Sequence, residues 1–174
     1  ATHSGSAHHS AVTVTDSTTV DLTLAGQDIT AAINHTHKFR ATRTTAQTLT
    51  DATFTVIQFN TEAYDPGADY DNVTNFNYTV HVTGYYLVTS TVQLAPPTGG
   101  NNTVISIFVG GVETVRGSRF DQTGPVTVGL TISAILQLTA TNTVDIRVFN
   151  DNSVNTAAPV EASLNDFAMH LLSV

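Results

Sequence analysis

The stretch of sequence that decides the fold is Gly84-Tyr85-Tyr86-Leu87-Val88-Thr89-Ser90-Thr91-Val92-Gln93-Leu94. Successive side chains of a β-strand point to opposite faces. One face of this segment would carry Tyr86, Val88, Ser90, Val92 and Leu94. The other face would carry Tyr85, Leu87, Thr89 and Thr91. Because both faces contain large apolar groups, we expect the strand to lie in a small all-β domain whose second face is covered by a neighbour.

The composition of the chain extends this reading to the rest of the molecule. The 174 residues include 31 Thr and 20 Val but only three Glu and one Lys, which favours strands over helices. Turn residues separate the apolar runs, for example at Gly110-Gly111, and predict an antiparallel sandwich or barrel. We expect strands at about residues 53–60, 76–82, 84–94, 103–109, 112–120, 125–139, 143–149 and 164–173.

Charge and residue usage narrow the possible partners. The formal net charge is -8, so a general role in binding nucleic acid would work against Coulomb repulsion. The chain has no Cys, which removes disulfides and thiolate metal sites. No apolar run approaches the ~20 residues that span a bilayer, and the N-terminal residues do not read as a signal peptide. We therefore expect no nucleic acid and no membrane insertion.

Residues 1–50 differ from the rest of the chain. They hold five of the seven His and few large apolar groups, although Val20, Leu22 and Leu24 alternate with polar residues as in a strand. So small an apolar content cannot offset the ordering entropy of a separate domain. We predict an extended N-terminal stem or attachment segment at residues 1–50 and a head domain at residues 51–174.

Three motifs in the head resemble one known family. The segment from Tyr70-Asp71 through Thr74 and Tyr78 to Gly84-Tyr85-Tyr86 resembles the signature of the complement-component-1q/tumour-necrosis-factor superfamily. Residues 105–113 resemble the hairpin of that family, and residues 167–172 resemble its closing strand. The resemblance covers about residues 50–174 and implies a jelly roll that assembles as a homotrimer.

The resemblance also suggests which residues meet at a trimer interface. We expect the second face of residues 84–94 to take part, together with a stripe on the last strand, which the family places close to the three-fold axis. The alternative is that these residues line the core of a single subunit. The expected interface residues are Tyr85, Leu87, Thr89, Phe167, Met169 and Leu171.

A second resemblance concerns the N-terminal segment. Residues 16–24 and 27–31 are similar to linking segments of tailed-bacteriophage fibre and spike proteins. Together with a trimeric head, this favours a virion appendage at the virion surface, whose residues 1–50 contact other virion proteins. The head would bind a host-surface glycan or protein through its polar loops. Alternatives are an architectural trimerisation cap without a ligand, or a secreted bacterial binding protein of the same fold.

Two histidines form a candidate metal site. His35 and His37 are two residues apart, so both would project from one face of an extended strand. Three copies on a three-fold axis would supply an octahedral shell suited to a divalent transition metal. The alternative is an exposed linker in which both histidines are solvated.

The loop at residues 65–71 is a candidate calcium site. Asp65, Asp69 and Asp71 could supply carboxylate oxygens to Ca²⁺. Loop aspartates also commonly accept hydrogen bonds from their own backbone, and Pro66-Gly67 favours that turn role.

The sequence offers no catalytic arrangement. It contains no Gly-x-Ser-x-Gly elbow, and its Glu residues have no evident catalytic partner. We therefore expect a non-enzymatic binding or structural protein.

Overall fold

The computed structural model describes residues 20–25, 28–33, 36–95, 102–121, 127–151, 156–158 and 164–174. The chain divides into two compact units, Ala1–His35 and Thr36–Val174. The described residues form strands and turns, and they contain no helix that could cross a membrane.

In the N-terminal unit, β1 (Val20–Ala25) and β2 (Asp28–Ile33) pair antiparallel as a hairpin. The strands of the second unit, in chain order, are β3 (Lys38–Thr42), β4 (Gln47–Leu49), β5 (Thr53–Val56), β6 (Thr61–Tyr64), β7 (Tyr78–Thr79), β8 (Gly84–Leu94), β9 (Asn102–Val109), β10 (Val112–Asp121), β11 (Val128–Leu138), β12 (Thr143–Asp151), β13 (Thr156–Ala158) and β14 (Asp166–Ser173).

The second unit is built from two five-stranded antiparallel sheets. We call the sheet with the strand order β11-β8-β14-β3-β6 the front sheet. The back sheet has the order β10-β9-β12-β5, and β7 also pairs with β12. A short pair, β13 and β4, completes the described strands. This architecture confirms the predicted all-β antiparallel jelly-roll sandwich.

Apolar side chains from both sheets form one core between them. The burial of β8 alternates along its length, and Tyr86, Val88 and Val92 are fully buried. Phe39 is the centre of an aromatic cluster: its ring stacks on Tyr70 and Tyr78 with centroids 4.5 and 5.1 Å away. The aromatic cluster joins β3 to the loop that precedes β7.

The hairpin between β9 and β10 has the predicted geometry. Gly110 and Gly111 have φ angles of 57° and 80°. Both central residues of a type I′ turn need a positive φ, which glycine adopts without a steric penalty.

The boundary between the two units differs from the one that we placed after residue 50. β3 and β4 lie in the second unit, and β3 pairs with β14 in the middle of the front sheet. The boundary therefore moves to residue 35. The sequence pattern did not indicate a strand at β3, because only two of its side chains, Phe39 and Ala41, point into the core.

Several strand limits also differ from the expected ones. The strand expected at residues 53–60 ends at Val56, and only Tyr78–Thr79 is a strand within 76–82. Phe76 has a positive φ of 52°, which breaks an extended conformation at that point.

Candidate subunit interface

The outward face of the front sheet is a candidate subunit interface. The register places Leu87 of β8 opposite Ile135 of β11 on one side and opposite His170 of β14 on the other. Thr89 lies in the same way between Ser133 and Ala168. Because directly paired residues share a face, three adjacent strands contribute to one outward surface.

Large apolar side chains are exposed on this surface. We define the outward patch as Tyr85, Leu87 and Ile135. Ile135 is 62% exposed and Tyr85 is 46% exposed. Leu87 is half-buried between its neighbours. A subunit that has already closed its core thus keeps a cluster of aliphatic and aromatic groups in contact with water.

Polar and charged groups lie beside the outward patch, on β3 and β14. Arg40 Nε donates to Asp166 Oδ2 at 3.2 Å. Lys38 lies opposite His170 in the β3–β14 register, beyond the apolar centre. A cavity of about 720 Å³ opens beside this basic margin, lined by Lys38, Tyr64, Asp65, Pro66 and His170. An apolar centre with a polar margin is the usual anatomy of a protein interface.

The structure divides the predicted interface residues into two groups. Tyr85, Leu87 and Thr89 lie on the outward face, as expected for an interface. Phe167 is fully buried within a single subunit, and Met169 and Leu171 are 2% and 7% exposed. The interface prediction for these last three residues is wrong, because they pack in the core between the two sheets.

Sequence reasoning missed Ile135. The run Ala134-Ile135-Leu136 contains apolar residues on both faces of a strand, which was the available signal. It is the same signal that drew attention to residues 84–94.

A second cluster of interest surrounds the buried side chain of Asp69. We call Asp69, His37, Tyr78 and His81 the Asp69 cluster. Tyr78 Oη donates to Asp69 Oδ2 at 2.8 Å, and His37 Nδ1 lies 3.0 Å from the same oxygen. His81 Nδ1 lies 2.6 Å from Oδ1. The cluster joins the start of β3 to the loops on both sides of β7.

These contacts determine the ionisation of the cluster. Burial opposes the charged form of Asp69, but hydrogen bonds from His37, Tyr78 and His81 outweigh it and hold the pKa of Asp69 below its ordinary value. Burial, together with the hydrogen bond to Asp69, raises the pKa of Tyr78 well above its usual range. The carboxylate therefore accepts hydrogen bonds as an anion, and the phenol of Tyr78 stays protonated.

The predicted calcium site is not formed. Asp71 accepts hydrogen bonds from the backbone amides of Val73, Thr74 and Asn75, at 2.9 to 3.0 Å. Asp65 Oδ2 accepts from the Tyr70 amide at 2.9 Å. Asp65 and Asp71 thus follow the turn alternative, whereas the carboxylate of Asp69 bonds side chains from other segments of the chain. Within the described part of the chain, no three His, Asp or Glu side chains are arranged to hold a metal ion.

The predicted axial metal site at His35 and His37 has a different outcome. His35 lies outside the described residues, and Nδ1 of His37 is already occupied by Asp69 of the same subunit. Three-fold coordination by these histidines stays a prediction.

Comparison with known proteins assigns the second unit to a class. Residues 38–170 match the family model described as the C1q domain. No curated protein sequence matches the chain significantly.

Solved structures of low sequence identity share the fold. The globular domain of the zebrafish complement 1qA protein is 16% identical over 78% of this chain and 96% of that chain, with a TM-score of 0.55. Eiger TNF from S. frugiperda is 13% identical over 80% and 94%, with a TM-score of 0.61. Murine APRIL at pH 5.0 is 14% identical over 78% and 98%, with a TM-score of 0.55.

Proposed function

Because the chain belongs to the C1q domain family, we propose that it is a non-enzymatic binding domain that works as a homotrimer joined through the outward patch. Domains of this family are commonly trimeric and generally act as binding modules rather than as enzymes.

The exposed apolar groups of the front sheet are the observation that carries the proposal. Fully burying one Leu, Ile or Phe side chain is favourable by about 1.5–3 kcal/mol relative to leaving it in water. In a trimer each of the three subunits would bury its own outward patch. The other outward residues of β8 and β11 are Thr, Ser, Gln and Gly, so this part of the face can be buried in an interface without burying a charge.

The outward face of the back sheet supports this choice by contrast. There the ring of Phe108 is already covered by the guanidinium of Arg147, 4.2 Å from its centroid. Phe54 packs on Phe108 and Phe149 with centroids 5.2 Å apart. Phe108 is therefore buried within one subunit, and Phe54 and Phe149 are half-buried, whereas Ile135 and Tyr85 of the outward patch are largely exposed.

A pair of charge substitutions tests the proposed interface. Ile135→Asp places a carboxylate in the outward patch, and Val112→Asp places one at an equally exposed apolar position of β10 (62% and 68% exposed). Sedimentation velocity at micromolar concentration should show a monomer for Ile135→Asp and a trimer for Val112→Asp. Equal behaviour of the two variants would contradict the assignment of the interface to the front sheet.

We further propose that the trimer presents its polar loops, chiefly residues 61–75, 96–102 and 150–163, to a host-surface glycan or protein, as a virion appendage of a tailed phage. Residues 96–101, 152–155 and 159–163 of these loops lie outside the described residues. The support for the virion setting is the resemblance of residues 16–31 to phage linking segments. Three-fold repetition would multiply weak single contacts.

A glycan array probed with the labelled trimer tests the binding role. Selective signals that Ile135→Asp weakens would support a multivalent receptor-binding head, since this variant should lose avidity. Consistent silence would instead favour the architectural cap. A chromosomal bacterial gene with no phage genes beside it would favour the secreted bacterial protein.

A further inference from the structure

The cavity beside the basic margin of the front sheet combines an aromatic ring with two opposite charges. We call the residues that line it the Lys38 pocket: Lys38, Tyr64, Asp65, Pro66 and His170. Lys38 of β3 lies opposite His170 of β14, and Tyr64 ends β6, the next strand of the sheet. Three adjacent strands and the residues after β6 thus bring together side chains that are far apart in the sequence. The volume of about 720 Å³ is in the range of small-molecule sites.

Two polar groups of the Lys38 pocket are not used by the folded subunit. Among the described residues, the ammonium group of Lys38 makes no hydrogen bond and no ion pair. Oδ2 of Asp65 accepts from the Tyr70 amide at 2.9 Å, but Oδ1 is buried and has no hydrogen-bond partner among these residues. A buried acceptor without a donor is costly and calls for an explanation. The wall of the cavity therefore holds a donor and an acceptor that the subunit itself does not satisfy.

The rest of the Lys38 pocket is apolar and held in place. Tyr64 is 47% exposed, which leaves much of a large aromatic side chain in contact with water. Pro66 follows it closely in the same wall. The turn that carries them is fixed by the Ala68 amide, which donates to the backbone oxygen of Asp65 at 3.2 Å. A preformed wall lowers the entropic cost of binding a ligand.

We propose that the Lys38 pocket binds an uncharged saccharide. This inference rests on the proposed binding role of residues 61–75, and it names the site and the class of ligand. A sugar ring has a C–H face that packs on an aromatic side chain, here Tyr64. Its hydroxyl groups both donate and accept hydrogen bonds. One hydroxyl can accept from Lys38 while another donates to the carboxylate of Asp65.

The charges around the cavity favour an uncharged ligand over an acidic sugar. Lys38 and Asp65 carry opposite charges, so the wall has no strong excess of either sign. The neighbouring cation Arg40 is already paired with Asp166, at 3.2 Å. The whole chain has a formal net charge of -8, which repels anionic ligands. A ligand that offers hydroxyl groups without a net charge satisfies both polar groups and meets no such repulsion.

The Lys38 pocket and the outward patch lie on different strands of the front sheet. In the order β11-β8-β14-β3-β6, the outward patch belongs to β11 and β8. The Lys38 pocket belongs to β14, β3 and β6 with the residues that follow β6. We therefore expect a trimer joined through the outward patch to keep its three copies of the pocket open, so that weak saccharide contacts add in avidity.

A tryptophan reporter tests the Lys38 pocket. The chain contains no Trp, so the emission of Tyr64→Trp reports on this position alone. The matched control is Phe120→Trp, since Phe120 is 42% exposed. In titrations with the methyl glycosides of glucose, galactose, mannose and N-acetylglucosamine, Tyr64→Trp should show a saturable emission shift with at least one of them, and Phe120→Trp should show none. Adding Lys38→Met to Tyr64→Trp should weaken this binding at least about tenfold.

Saturation-transfer NMR provides a second measurement, on the wild-type protein. The wild type should transfer saturation to at least one of the same four glycosides. Tyr64→Ala should lose this transfer, because the platform for the sugar ring is gone, whereas Phe120→Ala should keep it. Equal transfer by Tyr64→Ala and the wild type, or no transfer by the wild type, would overturn the proposal. Circular dichroism and sedimentation verify that each variant folds and assembles as the wild type does.

The outcomes separate this inference from the proposed function. Selective signals on the glycan array, together with an unresponsive Lys38 pocket, would overturn the pocket alone and leave the binding role of the trimer in place. A trimer that is silent on the array and in saturation transfer would contradict both the glycan-binding role and the pocket. Saturable binding of 3′-sialyllactose, but of none of the four glycosides, would overturn the assignment of an uncharged ligand.

Discussion

Nδ1 of His81 lies 2.6 Å from Oδ1 of Asp69, and the two side chains differ sharply in exposure, 54% against 1%. A buried carboxylate is therefore tied to an imidazole at the surface. His37 and Tyr78 occupy the other carboxylate oxygen. Asp69 thus connects three separate segments of the chain, and its contribution to stability can be measured.

Asp69→Asn should destabilise the protein. The amide keeps the shape of the carboxylate but not its charge or its capacity to accept three hydrogen bonds, and we expect a loss of about 1–3 kcal/mol in the free energy of unfolding. Urea denaturation followed by circular dichroism, at one fixed protein concentration, measures it. The control is Asp121→Asn. It removes an exposed ion pair with Arg119 and should lower the free energy of unfolding by less than about 0.5 kcal/mol. Equal losses in the two variants would refute the structural role of Asp69.

The difference in stability between the wild type and Asp69→Asn should depend on pH. The folded-state pKa of Asp69 lies below its ordinary value. Its contribution is therefore fully present above the unfolded pKa of about 3.9 and is lost as the pH falls through the folded value. The stability advantage of the wild type over Asp69→Asn should shrink as the pH falls below about 4. An advantage that grew below that pH would contradict the direction of the pKa shift.

Phe167→Ala should show that the last strand faces the core. Phe167 is fully buried, and its ring meets Phe39 edge-on with centroids 4.8 Å apart. Removing the ring leaves a cavity, so we expect a loss of about 3–5 kcal/mol. The control, Phe120→Ala, removes an equal ring that is 42% exposed and should cost much less.

Thermal unfolding of Phe167→Ala and Phe120→Ala, monitored by circular dichroism, makes this comparison. If Phe167→Ala instead kept wild-type stability and only dissociated the trimer, Phe167 would belong to the interface after all.

Gly84→Ala should destabilise the edge where β8 meets β14. A Cβ at this position would clash with the backbone oxygen of Ser173 and lie 2.8 Å from Leu171 Cδ1. Because a backbone atom cannot rotate away, we expect a loss of about 1–3 kcal/mol. Gly129→Ala in β11 is the matched control, since a Cβ there meets no atom within 4 Å. Chemical denaturation that ranked Gly129→Ala as the more harmful change would contradict the packing at Gly84.

The sequence predicted best those strands whose alternation carries large apolar groups. The ranges of β8, β9 and β10 agree with the expected ones within a residue or so. β6 was not predicted, because its four residues are all exposed and leave no hydrophobic pattern. Alternation therefore identified the long strands of the core, but it missed β3, whose only inward side chains are Phe39 and Ala41, and the exposed edge strand β6.

The prediction of the site residues failed for a different reason. Alternation indicates that Phe167, Met169 and Leu171 share one face, but not whether that face meets the core or a second subunit. A shift of one residue exchanges the two faces of a strand, and only the partner sheet decides between them. The Asp69 cluster was missed because His37 and His81 are brought together by the closure of the sandwich, which spacing along the chain does not reveal.

The central claim is that the outward patch joins three copies of this chain. Sedimentation equilibrium of the wild-type protein at low micromolar concentration tests it most directly. Our account predicts a single species of three times the 18.4 kDa chain mass. A stable species of 18.4 kDa under the same conditions would contradict it.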